Sequence, residues 1–358
     1  MDGTGSGQIH PFAFTRAERF SDVRFHRISY IYSSHFSNLT LTSMKKILIL
    51  IMAGSLSLAL PAQKTIDILS LSGRYGLPGE YNDPAVSGKA TEIGSLNSLQ
   101  VGFNILANTQ FVLNLNHFYF NVSGDPDPMF HPELAYPVKV NGIIMRVGLR
   151  QYFKGDRYLQ VLVMPKLMSD FQNMDGNSFQ FGGAVVYRKQ FRDELAVGIG
   201  AMYSAELFGP YLVPIVDLYW QFAEKWRLWG MLPITARLEY DVNKNMMVGF
   251  NHFGLITTYY LGHEDYTGDY MERQSIDLSL FARHRLAGNI FLEAMAGMAV
   301  GRHYRQYEGD QKLDFAIPLV TFGDDRVVKR EIDTGFGDGL ILTLKLIYNM
   351  PMPQRPKY

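Results

Sequence analysis

The sequence predicts an all-β protein, a transmembrane antiparallel up-and-down β-barrel of about fourteen strands, and three observations predict it. The first is the stretch from Gln274 to Gly301. Ile276, Leu278, Leu280 and Ala282 alternate there with Ser275, Asp277, Ser279, Phe281 and Arg283. A period of two sorts apolar from polar side chains only when the chain is extended. After Leu286–Asn289 the alternation resumes, with Ile290, Leu292, Ala294, Ala296 and Met298 on one face and Phe291, Glu293, Met295 and Gly297 on the other, so the two runs form a hairpin. The second observation is that this pattern recurs almost from end to end without an amphipathic helix to cover the apolar face, so the sheet closes on itself and faces lipid. The third is that tight turns alternate with long Gly-, Pro-, Asn- and Asp-rich loops, the asymmetry of outer-membrane barrels between periplasmic turns and external loops.

Bulk composition agrees with one barrel. A chain of 358 residues with 47% hydrophobic residues has a mean hydropathy of only -0.05, as expected when half of each strand faces water inside a barrel. The absence of cysteine excludes disulfides, cysteine-ligated zinc and a lipoprotein anchor. A formal net charge of zero gives no sign of a nucleic-acid partner.

Residues 1–43 show no sustained period and read as an upstream over-extension of the frame. Met44-Lys45-Lys46 is a positive n-region, Ile47 to Leu60 an apolar h-region, and Ala62 precedes a cleavage point. The expectation is a cleaved signal peptide over 44–62, a barrel over 63–350 and a short tail over 351–358. The apolar run is shorter than a helical span requires.

The first eight strands are expected near 65–75, 91–106, 110–121, 138–153, 157–169, 178–189, 194–206 and 211–223. Taking Trp226 to Tyr240 as a ninth strand would put the long segments 262–271 and 305–337 on the periplasmic side. Pro233 resolves this, because proline cannot donate to a ladder, and the segment divides into Arg227–Leu232 and Ile234–Tyr240 around an external turn. Strands at 246–261, 272–285, 289–304 and 338–349 complete fourteen, with both barrel termini in the periplasm. Twelve follows if one short pair does not span. Phe153, Tyr158, Trp220, Trp226, Tyr240 and Tyr348 lie near the tight turns and read as an interfacial girdle.

The signal peptide ending at Ala62-Gln63, the run Lys225–Asn251 (KWRLWGMLPITARLEYDVNKNMMVGFN) and the last apolar strand Leu340–Asn349 resemble Gram-negative outer-membrane β-barrel families of unknown function. The likeness covers 44–350 in architecture, and only Trp226–Phe250 is motif-like. The resemblance implies location and fold, with outer-membrane lipid and the barrel-insertion machinery as partners. The chain departs from the pattern by running past its last strand to Tyr358.

On the polar faces stand Arg146, Arg150, Lys166, Arg188, Asp217, Arg237, Glu239, Asp277, Arg283, Glu293 and Lys345. Facing lipid near the midplane, an Arg or Lys costs about 2–4 kcal/mol, so these side chains are expected to line the lumen. Two functions fit them: a charged constriction that selects small solutes, or an ion-pair network that fills a closed structural or surface-interaction barrel. Asp277, Arg283 and Glu293 are expected to share one wall. An outer-membrane lipid-modifying enzyme is disfavoured, since none of the strand histidines His117, His252 and His284 has a serine two residues on. No catalytic residue, metal or cofactor is assigned. The loop after Gly124 gathers Asp125, Asp127, His131 and Glu133, oxygen-rich like a calcium loop but with no matching spacing. Tyr266, Tyr270, Tyr304 and Tyr307 are expected in two external loops, either as a contact rim or as solvated aromatics.

Overall fold

The computed structural model describes residues 65–81, 87–124, 138–332 and 338–351. The expected signal peptide and the acidic loop from Asp125 to Glu133 lie outside the described residues.

Thirteen consecutive strands are followed by three short ones and a closing strand: β1 (Thr65–Glu80), β2 (Lys89–Leu106), β3 (Thr109–Gly124), β4 (Val138–Phe153), β5 (Arg157–Ser169), β6 (Phe179–Arg192), β7 (Leu195–Glu206), β8 (Gly209–Ala223), β9 (Trp226–Leu232), β10 (Thr235–Asn243), β11 (Met246–Tyr260), β12 (Tyr270–Ala287), β13 (Ile290–Tyr307), β14 (Phe315–Ile317), β15 (Val320–Phe322), β16 (Arg330–Ile332) and β17 (Leu340–Pro351). Each of β1 to β12 pairs antiparallel with the next, β17 pairs with β13, and β17 also pairs with β1 from Thr65↔Pro351 to Gly76↔Ile341. The sheet is a closed antiparallel barrel of fourteen strands. Closure removes both sheet edges and satisfies the backbone in lipid.

The long strands have 12 to 18 residues, more than the roughly 9–11 a tilted strand needs to cross, so their ends project beyond the membrane. The β9–β10 hairpin is short, with 7 and 9 residues, and turns at Pro233-Ile234, the position the sequence requires. One end of the barrel carries the tight turns, including Lys154–Asp156, Glu224-Lys225 and Gly288-Asn289, and the other carries the long connections.

Alternation sorts the faces as expected. Ile199, Leu280 and Leu344 are 66%, 69% and 53% exposed, part of a continuous apolar outer surface far larger than a soluble protein tolerates. Trp220, Phe222, Trp226 and Tyr240 stack in sequence near the tight turns with centroids 4.8–6.1 Å apart. Tyr158 departs from the expected girdle: it points inward, where its hydroxyl donates to Asp217 and Arg150 lies 4.6 Å from its ring centroid. Its register opposite Arg188 fixes this, because directly paired residues share a face.

The long-loop end is closed. Above the short β9–β10 hairpin, β11 leaves the wall and crosses the bore to β5, where Tyr260 pairs with Ser169 and the Asp170 carboxylate accepts from the Gly262 and His263 amides. Tyr259 and Leu261 then pack against Phe118, Phe120, Val140, Ile144 and Met168 of β3 to β5 in a buried apolar core. Gly142 makes this approach possible, since a Cβ there would lie 2.7 Å from the Met168 side chain and 3.3 Å from the Tyr259 ring. The β13–β17 connection also crosses, setting Ala316 of β14 against Tyr211 on the edge of β8 that the short hairpin leaves unpaired.

Tyr270, Tyr304 and Tyr307 therefore do not form a solvated rim. They sit in β12 and β13, which run further outward than expected, and are buried under the crossing segments, while Tyr266 is half-buried.

Candidate functional site in the barrel lumen

Residues that alternate inward from the fourteen strands meet in separate groups. Nearest the tight turns, Glu293 is fully buried and is held by Arg237 (Nη2–Oε2 2.8 Å), Arg283 (Nε–Oε2 2.8 Å) and Lys345 (Nζ–Oε1 3.7 Å). Asp67 closes on Arg283 at 2.9 Å, Glu239 on Arg237 at 3.2 Å and on Arg227 at 3.0 Å, and Asp241 on Arg227 at 2.5 Å. Four cations (Arg227, Arg237, Arg283, Lys345) thus face four carboxylates (Asp67, Glu239, Asp241, Glu293), and the group is neutral. The Arg237 guanidinium also lies 4.0 Å from the Phe281 centroid, which explains an aromatic on an otherwise polar face.

A second group lies further from the turns. Glu92 accepts from Arg74 Nε at 2.6 Å, Arg302 Nη1 at 3.1 Å, Arg273 Nη2 at 3.2 Å and the Tyr304 hydroxyl at 2.5 Å. Asp277 belongs here and not with Glu293: it pairs with Arg74, and Ser275 Oγ donates to it at 2.7 Å. Asp277 and Glu293 are far apart along the hairpin, since Asp277 pairs with Ala299 while Glu293 pairs with Arg283. Arg273 stacks 3.7 Å from the Phe120 centroid, tying this group to the apolar core above. Two smaller pairs stand apart from these groups. Lys166 meets Glu206 at 2.5 Å, and Glu206 also accepts from the Thr258 amide and hydroxyl, fastening the crossing β11 to β7. Arg188 meets Asp217 at 2.8 Å.

Arg146 and Arg150 are different. Arg146 donates to Asn114 Oδ1 at 3.2 Å. Arg150 donates to Gln160 Oε1 at 2.6 and 2.9 Å and to Gln110 Oε1 at 3.1 Å. Neither has a carboxylate within salt-bridge distance among the described residues. Both are half-buried, as are Asn114, Asn116, Tyr158 and Gln160, so water reaches this wall, whereas Glu92 and Glu293, the carboxylates at the centres of the two ion-pair groups, are fully buried. Gly148 stands between the two arginines. A Cβ there would fall 1.9 Å from the Val161 carbonyl oxygen, and its register partners Val112 and Leu162 are buried with Met164 and Ala184 in a small apolar cluster. A further cavity of about 230 Å³ at the long-loop end is lined by Lys139, Asp170, His263, Tyr266 and Arg330, among others.

All eleven charges read from alternation take part in the contacts above. Arg74, Glu92, Arg273, Arg302, Asp67, Glu206, Arg227 and Asp241 were missed. All but Asp241 stand within the expected strands, and counting alternate positions from Ser70 through Ser72 would have turned Arg74 inward.

Residues 156–315 match the family described as Domain of unknown function (DUF6268). The DUF6268 region begins in the β4–β5 turn, ends at the first residue of β14 and contains Trp226–Phe250, the motif-like stretch of the sequence. No curated protein matches the chain. Among solved structures the chain is similar to an outer-membrane channel from Pseudomonas putida F1, with 9% identity over 82% of this chain and 97% of that one and a TM-score of 0.37. It is also similar to the P. putida toluene transporter TodX (9% identity, 82% and 92% covered, TM-score 0.34) and to the NanC porin (8% identity, 78% and 98% covered, TM-score 0.33).

Proposed function

We propose that this protein is a non-catalytic outer-membrane barrel that passes or binds small solutes, exported by the signal peptide at Met44–Ala62 and seated with its tight turns in the periplasm. The observation that carries the reading is the contrast within the lumen. Elsewhere in the bore the ion-pair groups converge on the fully buried Glu92 and Glu293, whereas the β3–β5 wall keeps half-buried amides and arginines with no carboxylate partner among the described residues. Buried polar groups left to water mark a space that a solute can enter. The apolar core around Tyr259 shuts that space at its outer end, so this conformation is the closed one.

The same core supports a second reading, a permanently closed structural barrel. Conductance of the refolded protein in a planar bilayer separates the two. Discrete steps in Tyr259→Ala, with fewer or none in the natural chain, support a gated channel. A folded Tyr259→Ala barrel that never conducts points to the filled barrel.

A further inference from the structure

The β3–β5 wall carries one feature that a generic solute passage does not need. Each cation of the ion-pair groups described above is matched to a carboxylate at 4 Å or less, down to Lys345 and Glu293 at 3.7 Å. Arg146 and Arg150 are matched only to amides. A cation facing the bore without a counter-charge is costly, and neutral amides compensate it poorly. The chain places carboxylates freely elsewhere in the lumen, so leaving two arginines without one keeps their charge available.

Resting on the solute-barrel reading, we infer that Arg146 and Arg150, with the amides of Gln110, Asn114 and Gln160, form a track for small anionic solutes, the carboxylate or another oxyanion being the group recognised. The guanidinium fork is suited to this, because it presents paired donors to two oxygens of one anion. The amide oxygens of Gln110, Asn114 and Gln160 are taken by the arginines, while their NH₂ groups have no partner among the described residues. Donors therefore dominate what the wall offers. The arginines are four residues apart on one strand, roughly 13 Å along it, separated by Gly148 and its apolar register partners Val112 and Leu162. One small anion cannot touch both at once. The pair acts as two successive stations, each weak enough to release its occupant to the next, as conduction requires.

Two measurements test this on the full refolded barrel. In a bilayer under a potassium chloride gradient, the Tyr259→Ala channel should prefer chloride, and adding Arg146→Gln and Arg150→Gln should bring the selectivity to near unity. Arg150→Lys should keep the preference. In detergent, citrate at constant ionic strength should raise the unfolding temperature of the natural chain and lose that effect in Arg146→Gln/Arg150→Gln, whose own fold is checked by heat-modifiable gel mobility. Channels that are unselective, cation-selective or unchanged by the double substitution overturn the anion track and leave the channel standing. Absence of conductance from folded protein overturns the channel, and the citrate shift then decides the track alone: an equal shift in both proteins, or none in either, overturns it.

Discussion

Glu293 is the residue on which the turn-end group converges, and its environment defines what its loss should do. Removing the carboxylate leaves Arg237, Arg283 and Lys345 facing one another in a dry site. Breaking a buried ion pair from one side typically costs about 3–5 kcal/mol, so Glu293→Gln should lower the urea midpoint of the barrel clearly, and Glu293→Gln with Lys345→Met should recover part of the loss. A stability equal to that of the natural chain would mean the site is wet. The outer face tests the assignment of sides. Leu292 is the third residue of β13, close to the turn and its interface, where a charge costs only about 0–1 kcal/mol. Leu280, 69% exposed and seven residues from the end of β12, is the better position. Leu280→Lys should impair membrane insertion by about 2–4 kcal/mol if it lies at mid-depth, as read from the folded fraction in liposomes.

Among the elements, β9 and β10 shape the molecule most. Their shortness leaves the outer parts of β8 and β11 without a neighbour in the wall, which frees β11 to cross the bore and exposes the β8 edge that β14 caps. A cysteine at Pro233 should accordingly label from outside intact cells and one at Lys244 should not. The opposite pattern would invert the barrel. The parity argument that split Trp226–Tyr240 was available from sequence, because only an even strand count keeps the long segments on one side. The segments β14 to β16 were not available. Three-residue strands show no measurable period; β14 and β16 are held by partners, Tyr211 and Tyr304–Gln306, that are remote in the chain, and β15 pairs only with neighbouring β14.

For the whole barrel, the proposed opening and closing would turn on Tyr259. Its hydroxyl is buried with no partner among the described residues, and an unsatisfied buried hydroxyl costs about 1–3 kcal/mol. The closed state is thus held by apolar packing against a polar penalty. Tyr259→Phe should remove the penalty, raise stability by roughly 1 kcal/mol and suppress any conductance of the natural chain, whereas Tyr259→Ala should open it. Equal conductance in all three would show that the core is not the barrier.

The sequence by itself determined the closed antiparallel barrel, its fourteen strands and the alternation that sorts strand residues between two faces. All three follow from a period of two and from turn chemistry, which act between residues close in the chain. Only the tertiary structure decided which inward charges meet. Asp277 and Glu293 were expected on one wall and are both inside, yet Asp277 joins Arg74 on a strand 203 residues away in sequence, because barrel closure and strand stagger set the depth of each residue. The same long-range geometry buried Tyr270, Tyr304 and Tyr307 beneath crossing loops and left Arg146 and Arg150 without a carboxylate partner among the described residues. Alternation names a face, while depth and azimuth come only from the register of every strand around the ring.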